Sequence, residues 1–276
     1  MKFLNKRSDK SVLSRVKGCL SFDEYPENYD RWRPRYVREL FNDVFRYSGI
    51  GKGSHVLEIG MGTGQATEPF LEGGCLVTAV EPGENMVRYS RKKFGKFTNL
   101  KIENMFFEDY CEKNETFDLI YSATAFHWIS EKTGLNKIFD LLRKGGTLAL
   151  WWNKPSPDRP GDEIYEDIEK VYDKYMEPGN KKGPVDYKLR QMKIGNAITS
   201  HGFTGLECRM YHDVRTFNAE DYVGLLNTYS DHKGMKPEVK RLFESGIRQA
   251  IQNHGNRLCI RDTMDLYLAK RPVVNL

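Results

Sequence analysis

The pattern of apolar and polar residues predicts alternating strands and helices over roughly the first 150 residues. Short apolar runs that end at glycine or at a polar residue have the length of buried parallel strands. Five such strands are predicted, at 55–59, 76–80, 100–105, 117–122 and 147–152. Stretches with helical apolar spacing lie before and between them, at 35–47, 65–72 and 132–142, and a further helix ends near residue 94. This alternation favours an α/β fold with a parallel sheet.

The pattern changes after Asn153. Loops rich in proline, glycine and lysine are predicted near 155–161 and 178–184, between longer amphipathic helices. The later helices are predicted at 162–175, 185–200, 218–229 and 235–253, and two further strands at 205–216 and 257–270. Residues 1–20 are basic with little periodicity, so a loose helix or a disordered arm is expected there.

The stretch 56–81 carries the most specific chemical signal. A strand, a glycine-rich turn that opens a helix, and an acid at the end of the next strand form the layout of a nucleoside-binding βαβ unit. The turn has the spacing GxGxG, whereas a dinucleotide fingerprint would place its third glycine at the position of Gln65. Glu58 precedes the turn, where a carboxylate would repel a pyrophosphate but would favour a ligand with a cationic end.

This E-x-G-x-G-x-G string, followed by a strand-end acid, closely resembles the first two motifs of the class I S-adenosylmethionine-dependent methyltransferases. Their cofactor carries an ammonium and a sulfonium and has no phosphate, which agrees with the position of Glu58. The resemblance implies that Glu81 accepts hydrogen bonds from both ribose hydroxyls and that Met86 lies against the adenine ring. It implies further cofactor contacts from Gly60, Gly62, Gly64, Phe107, Glu108 and Ser122.

Two other segments resemble the trans-aconitate-methyltransferase-like group, methyltransferase type 11. The first is Y-D-x-x-R-P-x-Y at 29–36, which in that group closes over the cofactor. The resemblance therefore implies that Tyr29 and Arg33 contact the methionine end of the cofactor or the substrate. The alternative is that the arginines of this segment are solvated and its aromatic residues only fasten the arm to the domain.

The second segment is S-A-x-A-F-H-W-I at 122–129. His127 lies next to the expected position of the reactive methyl, and two roles are open for it, a general base or a packing and orienting residue. Phe126 and Trp128 are candidates to line the acceptor pocket. Tyr222 and Tyr229 could line the same pocket from the later helices, although a polar surface turn is an equal alternative for them.

The resemblance implies a single domain built on a doubly wound, seven-stranded, mostly parallel sheet with an antiparallel last strand. Helices should cover both faces, and a helical cap should be inserted after the fifth strand. The expected parts are an arm or lid at 1–34, a cofactor-binding core at 35–152, cap segments at 153–203 and 218–253, and the last two strands at 204–217 and 257–271.

The composition restricts the binding partners and the cellular location that are expected for the chain. Charged residues make up 29% of the chain and the mean hydropathy is −0.63, and no apolar run approaches the ~20 residues of a membrane span. The five cysteines form no CxxC pattern, so a reduced, metal-free, cytoplasmic protein is expected. A formal net charge of +5 falls short of a nucleic-acid footprint. The expected partner is a small-molecule methyl acceptor, and the expected state a monomer or homodimer.

Methyl transfer from a sulfonium is an in-line displacement in which the protein aligns the reacting atoms and excludes water. A carboxylate acceptor needs no base, while a hydroxyl would benefit from His127. The arginines of the 29–36 segment would suit a carboxylate, so the predicted acceptor atom is a carboxylate or hydroxyl oxygen. A nicotinamide (NAD)-dependent dehydrogenase and a non-catalytic S-adenosylmethionine-binding protein stay open as alternatives.

Overall fold

The computed structural model describes residues 16, 18–156, 161–176, 185–229, 232 and 234–273. The predictions for residues 1–15 and for the loops at 157–160 and 177–184 lie outside the described residues. No described helix combines the length and the apolar character needed to cross a bilayer.

Seven strands form one sheet: β1 His55–Ile59, β2 Leu76–Val80, β3 Leu100–Glu103, β4 Phe117–Ala123, β5 Leu142–Ser156, β6 Thr204–Phe217 and β7 Leu258–Lys270. Their order across the sheet is β3-β2-β1-β4-β5-β7-β6. β1 to β5 pair in parallel, and β7 pairs antiparallel with both β5 and β6. The prediction of a seven-stranded, mostly parallel sheet with an antiparallel last strand is confirmed. In space that last strand lies inside the sheet, and β6 forms the edge.

The helices are α1 Pro26–Trp32, α2 Arg38–Ser48, α3 Glu68–Glu72, α4 Glu84–Lys93, α5 Glu131–Leu141, α6 Glu163–Tyr175, α7 Tyr187–Ser200, α8 Ala219–Leu226 and α9 Pro237–Asn253. Helix α1 was not predicted, because its aromatic and charged residues form no apolar stripe. The predicted helix 65–72 begins only at Glu68, since the residues before it form turns in which Gly64 and Thr67 donate to the carbonyls of Met61 and Gly64.

Strand β5 also differs from the prediction. It begins at Leu142 and continues to Ser156, into the region predicted as a proline-rich loop. The extension has a partner, because Pro155 stands opposite Asp262 of β7 in the antiparallel ladder. The prediction of a loop at residues 155 and 156 is therefore wrong, since pairing with a distant strand outweighs the local preference of proline.

The sheet is covered on both faces. On one face α2 and α3 pack against aromatic residues of the central strands, where the ring of Tyr121 stacks on Trp151 at 5.2 Å and on Phe70 at 4.4 Å. On the other face α5 and α7 pack through Ile138 and Ile198. Two apolar layers, one on each face, thus enclose the strands, as a parallel sheet requires.

A third apolar cluster joins α6, α8 and α9 to the last residue of β6 and the first residues of β7. Because β7 runs antiparallel, these residues lie at the same edge of the sheet as the carboxyl ends of the parallel strands. The predicted cap segment 153–203 contributes α6 to this cluster, while α7 packs on a face of the sheet. The domain boundaries given above stay predictions.

Candidate active site

The glycine-rich loop between β1 and α3 lies at the carboxyl edge of the sheet and is built for close approach. Gly60 and Gly64 have φ values of +74° and +79°, in the left-handed region that favours glycine. A Cβ at Gly60 would stand 2.5 Å from the Cβ of Ala125, and one at Gly64 would stand 2.3 Å from the Phe94 ring. The loop is therefore pressed between the end of β4 and helix α4.

Glu81 directly follows β2 and lies beside this loop. Its Oε2 accepts the backbone N–H of Gly62 at 2.8 Å, and its Oε1 accepts that of Gly83 at 2.9 Å. Burial raises the pKa of the carboxyl to about 7, although these two N–H groups lower it, and the charge of Asp23 adds to the rise. Each oxygen has a second lone pair for a ligand, so the carboxylate can accept two ribose hydroxyls, and this predicted role stays a prediction.

Glu58 lies on the core side of the loop. Its side chain is 1% exposed, and Oε2 accepts the hydroxyl hydrogen of Thr67 at 2.6 Å. Burial raises the pKa of this carboxyl to about 8, while the hydrogen bonds from Thr67 and Tyr121 lower it and the charge of Glu81 adds to the rise. The carboxyl thus joins the loop to the core, and its predicted contact with the cationic end of the cofactor stays a prediction.

The arm, residues 18–33, lies along helix α4. At the amino end of α4, Asp23 Oδ1 accepts the backbone N–H of Met86 at 2.8 Å and so caps that helix. At the other end, the Lys93 ammonium donates to Asp30 Oδ1 at 2.7 Å and to the Thr63 carbonyl of the glycine loop at 2.9 Å. Sequence reasoning missed Asp23, Asp30 and Lys93, because their partners are far away in the chain.

Tyr29 lies over the glycine loop and Arg33 lies over the Tyr29 ring, and their predicted contact with the methionine end of the cofactor or the substrate stays a prediction. A Cβ at Gly62 would stand 3.7 Å from the Tyr29 ring. The Arg33 guanidinium donates from Nη2 to the Thr228 carbonyl at 2.8 Å. Its Nε is buried and finds no hydrogen-bond partner in the part of the chain that the structure describes. The guanidinium lies over three rings, at 5.1, 4.9 and 4.4 Å from the centroids of Phe22, Tyr29 and Tyr229.

His127 is exposed on a short 3-10 helix, Phe126–Trp128, that follows β4. The indole N–H of Trp152 donates to its Nδ1 at 3.2 Å. An indole N–H can only donate, so Nδ1 is the acceptor and the neutral imidazole carries its proton on Nε2. The ring then has no lone pair left to accept a proton, which favours the orienting role over that of a general base. Trp152 was not predicted as a partner.

The end of β4 contains an unusual backbone conformation. Thr124 has φ of +54°, which is strained for a β-branched residue and is found mainly where function requires it. Its Oγ1 lies 2.9 Å from the Tyr36 hydroxyl and accepts the backbone N–H of Asn153 at 3.1 Å, while its own N–H donates to the Trp151 carbonyl at 2.8 Å. These contacts join the segment after the arm to the ends of β4 and β5.

Of the remaining predicted cofactor residues, three are buried in the core and one is half-buried. Met86 and Phe107 are 2% and 3% exposed in the core, and Ser122 donates from Oγ to the Ile59 carbonyl at 2.9 Å. Glu108 is half-buried in a turn that Lys137 stabilises by donating to the carbonyls of Phe107 and Glu108. Their predicted contacts with the adenine and the methionine end stay predictions.

The predicted acceptor-pocket residues lie in three places. Phe126 is 6% exposed and packs in the core. Trp128 is covered by the arm, since a Cβ at Gly18 would stand 2.3 Å from its ring. Tyr229 contacts Arg33, while Tyr222 lies in the cap, with its ring 6.0 Å from that of Phe217. Of this set, the structure brings Tyr229 to the arginine of the arm. Across the described ranges, no cluster of three or more metal-ligating side chains occurs.

The chain is similar to proteins described as methyltransferases. Residues 56–146 match a family model described as a methyltransferase domain. An uncharacterized methyltransferase of Schizosaccharomyces pombe is 24% identical over 237 residues, which are 82% of this chain and 84% of that protein.

Solved structures share the fold. A protein of Anaeromyxobacter dehalogenans described as a type II methyltransferase superposes with a TM-score of 0.61 at 19% identity, over 87% of this chain and 98% of that one. Phosphoethanolamine N-methyltransferase 2 of Haemonchus contortus, in complex with S-adenosyl-L-methionine, gives 0.55 at 14% identity over 96% of this chain. This chain spans 61% of the length of that protein.

Proposed function

We propose that this chain, which belongs to the class I S-adenosylmethionine-dependent methyltransferases, transfers the methyl group to an oxygen of a small-molecule carboxylic acid. The cofactor supplies an electrophilic methyl on a sulfonium. The residues that would hold it are Glu81 at the ribose hydroxyls and the glycine loop at the methionine moiety, with Tyr29 over that loop. The protein then has to orient the acceptor oxygen and keep water out.

The observation that carries the proposal is the environment of Arg33. The guanidinium is half-buried between the arm and the cap, and within the described part of the chain it forms no ion pair. Aromatic faces and one carbonyl compensate only part of the cost of removing a cation from water. An anion at this position would complete the site, and a carboxylate matches the planar fork of an arginine.

The neighbouring arginines do not share this environment. Arg35 is exposed and pairs with Asp30, with Nη2 at 3.1 Å from Oδ1. Arg31 is exposed and lies over the ring of Trp32 at 4.5 Å. Of these three arginines, Arg33 is therefore the one whose charge is directed to the inside of the protein.

The hydrogen bonding of His127 supports an acid as the acceptor. A carboxylate is already ionised at neutral pH and attacks without proton removal, whereas a hydroxyl acceptor gains from a base. With Nδ1 accepting from Trp152, the neutral imidazole has its proton on Nε2 and no lone pair with which to take a proton from the acceptor. A carboxylate acceptor does not require that step.

The test compares Arg33→Ala with Arg31→Ala, an exposed control in the same segment. Release of S-adenosylhomocysteine is measured over a panel of small carboxylic acids, and S-adenosylhomocysteine affinity by calorimetry. We expect the acid KM to rise roughly 10- to 100-fold in Arg33→Ala, the loss typical of a hydrogen bond to a charged group. Arg33→Lys should recover part of this loss, and Arg31→Ala should match the wild type.

The opposite pattern would refute the role of Arg33 at the acceptor. If S-adenosylhomocysteine affinity fell in Arg33→Ala while the KM for every acid stayed the same, the guanidinium would bind the carboxylate of the methionine moiety. If no acid of the panel were methylated by the wild type, the acceptor class would be wrong.

A further inference from the structure

The side chain of Asn153 is a buried amide that has no hydrogen-bond partner among the described residues. The residue is 5% exposed, and within the described ranges neither Nδ2 nor Oδ1 makes a hydrogen bond. Most buried polar atoms in folded proteins are paired, so each exception asks for an explanation. Here both halves of one amide, the donor and the acceptor, are exceptions.

The position of Asn153 connects it to the candidate active site. It lies near the carboxyl end of β5, two residues after Trp151 and therefore on the same face of the sheet. Its backbone N–H donates to Thr124 Oγ1 at 3.1 Å, and that oxygen lies 2.9 Å from the Tyr36 hydroxyl. Tyr36 follows Arg33 by three residues in the chain. The amide thus lies on the face of the sheet against which Tyr36 packs, since the ring of Tyr36 contacts Trp151 at 5.8 Å.

The backbone around Asn153 is held on both sides. It stands opposite Met264 in the ladder between β5 and β7, and on the β4 side it is bound to Thr124, whose φ of +54° is itself maintained by these hydrogen bonds. The protein's own hydrogen bonds thus fix the backbone at this position, as in the frame of a preorganised binding site.

We propose that the Asn153 amide binds a hydroxyl group of the methyl acceptor, and that it selects hydroxy acids over the corresponding deoxy acids. A hydroxyl both donates and accepts, so it can pair with Oδ1 and Nδ2 together, whereas a carboxylate can only accept. The inference rests on the proposed function, because it assigns a second group of the same acceptor to a second residue.

The experiment uses pairs of acids that differ by one hydroxyl, malate with succinate and citrate with tricarballylate. Wild type, Asn153→Leu and Asn153→Ala are compared by S-adenosylhomocysteine release and by calorimetric binding of each acid in the presence of S-adenosylhomocysteine. A site that hydrogen-bonds a hydroxyl rejects the analogue that lacks it strongly, so we expect a preference of at least about tenfold in the wild type. Both variants should lose the preference and keep their S-adenosylhomocysteine affinity.

Thermal unfolding separates this role from a structural one. Replacing an unpaired buried amide by an apolar group of the same shape is neutral or stabilising, so Asn153→Leu should unfold at or above the wild-type temperature. Thr147→Val is the matched control, since the Thr147 hydroxyl on β5 is also buried and has no hydrogen-bond partner within the described ranges. It should have the same effect on the unfolding temperature and leave the hydroxyl preference unchanged.

The inference would be overturned if the wild type did not discriminate within any pair, if Asn153→Leu kept the preference, or if Asn153→Leu unfolded clearly below the wild type. A neutral pair, catechol with phenol, distinguishes this failure from failure of the proposed function. If no acid bound but catechol were preferred over phenol in an Asn153-dependent manner, the acid acceptor would be wrong and the role of Asn153 would stand.

Discussion

Glu81 should make cofactor binding depend on pH, and its surroundings determine the direction. Burial raises the pKa of its carboxyl to about 7 in the free protein, against the lowering effect of the N–H groups of Gly83 and Gly62, and Asp23 adds to the rise. Ribose hydroxyls that donate to the carboxylate stabilise its charged form. Binding therefore releases the proton, and the affinity should increase as the pH rises through about 7 and fall below it.

The size of the effect follows from the same pKa. If ribose binding returns the pKa of the carboxyl to its ordinary value of 4.5 or below, the dissociation constant is proportional to one plus the ratio of protonated to ionised Glu81 in the free protein. With a pKa of about 7, that constant is about tenfold larger at pH 6 than at pH 8. This corresponds to about 1.4 kcal/mol of binding free energy.

Calorimetric titration with S-adenosylhomocysteine at pH 6, 7 and 8 measures this dependence. Glu81→Gln has no carboxyl to titrate at this position. The pH dependence of its affinity therefore reports only the ionisation of the ligand and of the other protein groups. We expect the wild type to gain about tenfold relative to Glu81→Gln between pH 6 and pH 8. Parallel curves for the two proteins would refute the reasoning. Adenosine, which lacks the amino-acid part of the cofactor, should reproduce the difference.

Two further predictions concern the arm and the histidine. Asp23→Ala removes the hydrogen bond that caps the amino end of α4 and fastens the arm, a loss of about 1 kcal/mol. Stopped-flow dissociation of S-adenosylhomocysteine should therefore be about fivefold faster, while Glu27→Ala, an exposed control on α1, should leave the rate unchanged. Equal rates in both variants would contradict a role for Asp23 in holding the arm closed. His127→Gln keeps a side-chain N–H donor, so its methyl-transfer rate should stay within about tenfold of the wild type with the same pH profile, whereas a loss of 100-fold or more would restore the general-base hypothesis.

The parts of the fold that depend on local pattern could be predicted from the sequence. The glycine loop and the acid at Glu81 are close in the chain, and their spacing alone indicates a nucleoside site. The strands of the core have apolar runs bounded by glycine or polar residues, so their predicted and observed bounds differ by few residues. Strand β5 is the exception, because its extension across Pro155 depends on β7, which follows more than 100 residues later.

The contacts that complete the site could not be predicted in this way. Asp23 binds the N–H of a residue 63 positions later, and Arg33 donates to a carbonyl 195 positions later. No spacing rule connects such pairs. For Asn153, the sequence indicates only that the pattern of apolar and polar residues changes after it. Whether a buried amide is paired depends on its surroundings in the fold and not on the residue type.

The placement of β7 between β5 and β6 has a consequence for the order in which the chain can fold. Every pairing of β6 in the described sheet is with β7. During synthesis, the backbone N–H and C=O groups of β6 and of the outer edge of β5 therefore stay unpaired until residues 258–270 have left the ribosome. The last strand must then insert between two existing elements, a non-local step that is slow and leaves edges exposed to aggregation. A truncation within β7 would remove an interior strand and separate β6 from the sheet.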